Sequence, residues 1–348
     1  MHLILGLTVG TIVFIVALTG SIYAFEEEIR NVIHKELLYV EPVPAQRKTL
    51  AEITEAVKKQ FPKQQLKNIK VKQPENSVEV QLKNRVSVYI DPYTAEVLGS
   101  IDQETEFLAV ILKIHRTLYL GDAGKVITGT SATIFVFMLI SGIILWWPAK
   151  RQGTKQKFSI MRNVKGPKRI YDLHSVLGFY AAWIIIFTAL TGMIWSFKWA
   201  EGTMYWFCGS KKEMKKPVSV YNPGNKIFSL DKAVEQGIAM YPGCKEYFIT
   251  IPEDSLASIR LSMRYDNDGI FRKYNQLFFD QYSGEIVKDQ SYEKTSKGDK
   301  LKASIYDIHT GKVFGLFGQL LVFFASLISA SLPVTGFLMW NRKRKRSH

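Results

Sequence analysis

Four stretches of this chain contain no Asp, Glu, Lys or Arg: Leu3 to Phe25, Val126 to Trp147, Leu173 to Phe197 and Val313 to Asn341. Each is long enough to supply the ~20 apolar residues a helix needs to cross about 30 Å of hydrocarbon. With no water in the bilayer core, every backbone N–H and C=O must find a partner inside its own segment, so runs of this kind fold as helices. The expected fold class is therefore an α-helical membrane protein with four transmembrane helices in a bundle. Trp146, Trp147, Trp195, Trp199 and Trp340 stand at the ends of these runs, where amphipathic rings meet the lipid headgroups. The first run is too long for a cleavable signal and leads into Glu26-Glu27-Glu28 without a small-residue cleavage site.

A net charge of +15 invites a nucleic-acid reading, and its placement argues against one. Ala149 to Ile170 holds eight Lys and Arg and no acid, and Arg342 to Arg346 adds five. Basic residues packed beside spans mark the cytoplasmic side, whereas long translocated segments are nearly indifferent to charge. The 149–170 loop and both termini are thus expected inside, and the two large polar segments outside. In order, the chain reads as span 1 (1–25), an outside module (26–106), a His-bearing segment with span 2 (107–148) and a basic inner loop (149–170). Span 3 (171–199), a second outside module (200–300), a His-bearing segment with span 4 (301–341) and a basic tail (342–348) follow. Cys208 and Cys244 both fall in the second outside module, where an oxidising compartment permits a disulfide. The sequence leaves their pairing open.

The second half repeats the first. His2 and His174 are each followed by Leu-Gly, and ALTG occurs at 17–20 and at 189–192, both at an offset of 172. His115 and His309 are 194 apart, as are Gly142 and Gly336. The polar segments match as well: LAEITEAVKKQFP (50–62) aligns with LDKAVEQGIAMYP (230–242), and YIDPYTAEVL (89–98) with FFDQYSGEIV (278–287). Each outside module reads as an amphipathic helix ending near Pro62 or Pro242. Strand-like runs follow at Leu66–Val71, Ser77–Leu82 and Val86–Ile90, and again at Tyr247–Ile251, Ser258–Arg264 and Lys273–Phe279. One helix on a small antiparallel sheet is expected for each α+β module. Both copies cross the membrane in the same sense, so the internal duplication is parallel.

On this topology His2 and His174 open spans 1 and 3 at the inner face, and His115 and His309 precede spans 2 and 4 at the outer face. Ionisable residues at such depths are costly and default to a functional reading. Any single histidine is more often a structural hydrogen-bonding residue, but four of six obeying the repeat weigh against that. Zinc usually takes four ligands at one site, often with Cys or carboxylate. Two neutral imidazoles from facing helices instead match the axial positions of a six-coordinate haem iron. No C-x-x-C-H is present, so two non-covalent, bis-His haem b groups are expected. Gly20 and Gly192 lie 18 residues after His2 and His174, about 27 Å along a helix. They fall at the outer level, and Gly142 and Gly336 at the inner one. Room for a porphyrin and plain small-residue helix packing explain these glycines equally well. Arg116 is a candidate partner for a haem propionate or a headgroup anchor. Pro333 is expected to kink span 4. His34 and His348 have no repeat partner and read as surface residues.

The opening HLILGL…ALTG, the LKIHR segment, DLHSVLG and IHTGKVFG resemble the PepSY-associated transmembrane family, and DPYTAEVL and DQYSGEIV resemble its PepSY modules. The resemblance covers nearly the whole chain. One departure is that His2 stands almost at the chain start, without the basic residues that usually precede this histidine in the family. The resemblance implies a bacterial cytoplasmic (inner) membrane location, periplasmic modules, a role in iron uptake and His2, His115, His174 and His309 as haem ligands. It also implies a transmembrane oxidoreductase, passing electrons from a cytoplasmic-side donor to an outside acceptor such as a ferric siderophore. No glycine-rich flavin or nicotinamide fingerprint appears, so the donor is expected to be a quinol or a separate reductase. A non-catalytic membrane-anchored PepSY binding or sensing protein is the alternative. A permease fits less well, since no span carries a charged residue to mark a substrate path.

Overall fold

The computed structural model describes residues 2–72, 74–147, 157–161, 164–212, 217–221 and 227–346. They fall into two compact units. The first comprises residues 1–26, 107–209 and 304–348, and the second residues 27–106 and 210–303.

The first unit is helical. Span 1 is α1 (His2–Tyr23), span 2 is α6 (Gly121–Trp146), span 3 is α7 (Pro167–Ser196) and span 4 is α11 (Gly315–Arg346). All four are long and apolar enough to cross a membrane, so the chain is a multi-pass membrane protein. The helices run past the charge-free stretches, so part of the 149–170 loop and of the basic tail is helical. Lys150, Arg151, Lys155, Arg162 and His348 lie outside the described residues. Span 1 packs against spans 2 and 4, and span 3 does the same, which places spans 1 and 3 on a diagonal. In lipid no hydrophobic force drives helices together, so close packing of small residues does that work. Gly10 lies against Pro333, Gly129 against Ser196 and Phe197, and Ala181, Ala182 and Ala325 are buried between the spans. Pro333 lies inside span 4. Outward-facing Phe137, Leu145, Phe187 and Phe324 are more than half exposed, as lipid-facing side chains are.

Two short helices precede spans 2 and 4: α5 (Phe107–Thr117) and α10 (Lys297–Thr310). Each turns sharply into its span. Gly124 presses on the Thr117 carbonyl and Gly318 on the Gly311 carbonyl so closely that any Cβ would overlap the backbone. Span 3 contains a π-helical turn at Leu173–Leu177 that includes His174, a distortion common at functional positions.

The second unit is an eight-stranded antiparallel sheet in the order β4-β3-β2-β1-β5-β6-β7-β8. Strands β1 (Leu66–Val71), β2 (Val78–Leu82), β3 (Val86–Ile90) and β4 (Val97–Asp102) form one meander. Strands β5 (Glu246–Thr250), β6 (Ile259–Arg264), β7 (Tyr274–Phe279) and β8 (Ile286–Gln290) form the other. The sequence suggests two separate small sheets; instead the meanders join through β1 and β5, with Ile69 opposite Ile249. Each meander alone would leave a row of unpaired backbone groups at that edge, and pairing satisfies both rows.

Alternation puts Ile69, Val80 and Val88 with Ile249, Leu261 and Leu277 in one core with α4 (Leu50–Gln60) and α9 (Leu230–Met240). Each such side chain contributes about 1.5–3 kcal/mol by leaving water. A Thr49–Glu52 capping box starts α4. Asp231 of α9 reaches across to accept the Leu50 and Ala51 N–H groups at 2.6 and 3.2 Å, so one helix caps the other. The aligned turns share one design. Asp91 Oδ1 accepts the N–H groups of Tyr93 and Thr94, and Asp280 Oδ1 those of Tyr282 and Ser283.

Helices α2 (Glu26–Ile33) and α3 (Lys35–Leu38) follow span 1, and α8 (Lys198–Phe207) follows span 3. His34, expected on the surface, is half-buried at the start of α3, with Nε2 3.5 Å from the Glu106 carboxylate. No local pattern marks it, because its partner is more than 70 residues away. Cys208 and Cys244 are not joined.

Candidate functional site

Each of the four repeat histidines lies against a neighbouring span at a Ser-Gly or Thr-Gly step. His115, on α5, has Nδ1 3.4 Å from Thr19 Oγ1 and 2.9 Å from the Val16 carbonyl of span 1. His309, on α10, has Nδ1 2.8 Å from Thr191 Oγ1 of span 3. His2 Nδ1 is 2.9 Å from Ser141 Oγ of span 2, and His174 Nδ1 is 2.8 Å from Thr335 Oγ1 of span 4.

The residue after each hydroxyl is one of the four glycines singled out by the repeat. A Cβ on Gly20 would come within 2.9 Å of His115 Cε1, and one on Gly192 within 3.7 Å of His309 Cε1. On Gly142 and Gly336 it would be 3.5 Å from Cε1 of His2 and His174. The missing side chains therefore make room for the imidazole rings themselves, a third role beside porphyrin space and helix packing.

The structure brings His115 and His309 together at one end of the spans, with ring centroids 6.1 Å apart. Metal–nitrogen bonds of about 2.0–2.1 Å, the length His makes with zinc, plus a ring radius on each side, put two opposed imidazoles roughly 6 Å apart. A cavity of about 330 Å³ opens beside the pair, at the small end of the range for ligand pockets. Gly20, Gly192, Trp195, Arg116 and Lys125 are among its lining residues. Trp195, expected only as a headgroup-level ring, lies with its ring centroid 5.0 Å from that of His309. Arg116 and Lys125 bring positive charge to the wall, and Lys125 carries no sequence signal of this role. Three residues beyond His309, the Lys312 ammonium is 3.8 Å from the Glu26 carboxylate, which also accepts a 2.8 Å hydrogen bond from the Tyr306 hydroxyl.

At the opposite end of spans 1 and 3, His2 lies against the Ser141-Gly142 step and His174 against the Thr335-Gly336 step. Among the described residues no group of three or more His, Cys, Asp or Glu could hold a metal ion. The four repeat imidazoles thus fall two at each end of the spans.

The hydroxyls of Thr19, Ser141, Thr191 and Thr335 were missed by reasoning from the repeat. Their signal was in the sequence all the same: the spans carry hydrophobic-[ST]-G steps LTG, ISG, LTG and VTG at these places, although span 2 has a further one, Ile127-Thr128-Gly129, that lies against Ser196 and Phe197 instead. Among curated proteins none matches the chain. A model of the PepSY-associated TM region matches residues 1–343. That match covers all four spans and the sheet unit between them, and the chain belongs to the PepSY-associated transmembrane family.

Proposed function

We propose that this protein is a di-haem, b-type electron-transfer protein of the bacterial cytoplasmic membrane. It takes electrons from a donor on the cytoplasmic side, a quinol or a reductase, and delivers them to an acceptor outside, a ferric siderophore in iron uptake. The chain is a parallel duplication with both termini cytoplasmic and the sheet unit periplasmic; the shared offsets of the histidines, the [ST]-G steps and the two meanders support this. The observation that carries the reading is the fourfold seat: every repeat histidine rests on a hydroxyl-glycine step of a neighbouring span, at both ends of the bundle.

The residues present fit haem. His115 with His309 would hold one group, and His2 with His174 the other. Gly20, Gly142, Gly192 and Gly336 let the rings approach the helices, and Arg116 and Lys125 offer cations to carboxylates at the cavity wall. Haem, when bound, would supply one-electron chemistry, and its ligation by two histidines at each site would disfavour oxygen chemistry. The protein's part is to keep the imidazoles unprotonated at the nitrogen facing the cavity and to keep their rings fixed. The apolar walls exclude water. Delivery of an electron to a ferric chelate loosens it, because hard oxygen donors hold Fe(III) better than Fe(II).

The test is the dithionite-reduced visible spectrum and haem content of the purified protein. Two b-type haems per chain are expected, and His309→Ala should remove one while leaving the other. A protein without b-type bands would overturn the reading and leave a non-catalytic binding protein.

A further inference from the structure

Each [ST]-G hydroxyl has its own proton engaged. Ser141 Oγ donates to the Met138 carbonyl at 3.0 Å, and Thr19 Oγ1 to those of Ile15 and Val16 at 2.7 and 3.2 Å. Thr191 Oγ1 donates to Phe187 and Thr188 at 2.8 and 2.9 Å, and Thr335 Oγ1 to Ser331 and Leu332, both at 3.0 Å. A hydroxyl has one proton and two lone pairs. With the proton turned back along its own helix, each oxygen faces the histidine with a lone pair, and Nδ1 must be the donor.

At His115 a carbonyl gives the same answer independently: Nδ1 is 2.9 Å from the Val16 oxygen, three residues before the Thr19 hydroxyl. A carbonyl only accepts, so Nδ1 carries the proton and Nε2 keeps its lone pair.

We infer that Thr19, Ser141, Thr191 and Thr335 are positioning residues that fix all four histidines as Nδ1–H tautomers with Nε2 presented for ligation. This rests on the electron-transfer reading only for its consequence at iron. The [ST]-G step acts as a two-part receptor, in which the oxygen takes the Nδ1–H and the adjacent glycine admits the Cε1 edge of the same ring. Partners of this kind orient a ligating imidazole and raise its basicity, and losing one typically costs about 10–100-fold in metal affinity. A more basic imidazole favours Fe(III), so removing the hydroxyl should raise the midpoint potential of the haem concerned.

Two measurements decide it. In haem-free protein labelled with 15N-histidine and held in lipid nanodiscs, the repeat histidines should show a protonated Nδ1 and a pyridine-type Nε2. A dominant Nε2–H form would overturn the inference. In haem-loaded protein, Thr191→Val and Thr335→Val should each raise one midpoint potential and weaken haem retention, and Thr191→Ser and Thr335→Ser should restore both. Valine variants with unchanged potential and retention would reduce the hydroxyls to helix packing. A wild-type protein that takes up no haem fails the electron-transfer reading instead, and the tautomer measurement then decides the positioning by itself.

Discussion

Gly20 and Gly192 occupy equivalent places in the repeat but have unequal clearance. A Cβ at Gly20 would sit 2.9 Å from the His115 ring, closer than real Cβ contacts, whereas at Gly192 the distance is an ordinary 3.7 Å. His115 cannot easily retreat, since Nδ1 is bonded to the Val16 carbonyl and the Thr19 hydroxyl. Gly20→Ala is therefore expected to displace His115 and halve the haem content, and Gly192→Ala to leave it nearly intact. Equal haem content in the two variants would show that the seat has slack the distances do not reveal. The four glycines were legible in the sequence because they obey the repeat. Their contact with the imidazole edge was not, because each ring comes from a helix 95 or more positions away along the chain.

Among the elements, the turn before β8 carries a carboxylate with a measurable role. Asp280 is buried, which by itself pushes its carboxyl up, but the N–H groups of Ser283, Val220 and Tyr282 outweigh that and hold it below the usual range. A carboxyl lowered in the folded state contributes stability that is fully present above its unfolded value, about 3.9. That contribution is lost as pH falls through the folded value. Asp280→Asn should thus lower the thermal unfolding temperature of the sheet unit more at pH 7 than at pH 3. The same loss at both pH values would mean that the charge contributes nothing. The Asp-x-Tyr-[TS] turns and the alternating strands were readable because an Asx turn and a two-residue period are local. The Val220 partner of Asp280 was not, being 60 residues upstream.

The whole molecule carries the question of orientation. Cys208 and Cys244 form no disulfide and are partly exposed, and both belong to segments placed outside the membrane in the proposed topology. An impermeant maleimide added to intact spheroplasts should label the wild-type chain. It should fail to label a Cys208→Ser, Cys244→Ser variant that carries Arg344→Cys until the membrane is opened. The reverse pattern would invert the topology. At this scale the sequence by itself determined the four spans, the strands, the module helices and the pairing of histidines by offset. All of these follow from the hydropathy period of a segment or from self-similarity, and neither needs a partner. Only the tertiary structure decided that the two meanders share one sheet through β1 and β5, and that His2, His115, His174 and His309 sit on Ser141, Thr19, Thr335 and Thr191. The physical reason is the same for both. An open strand edge does not specify which edge completes it, and between helices in lipid the partner is chosen by close packing and hydrogen bonds, which no local pattern encodes.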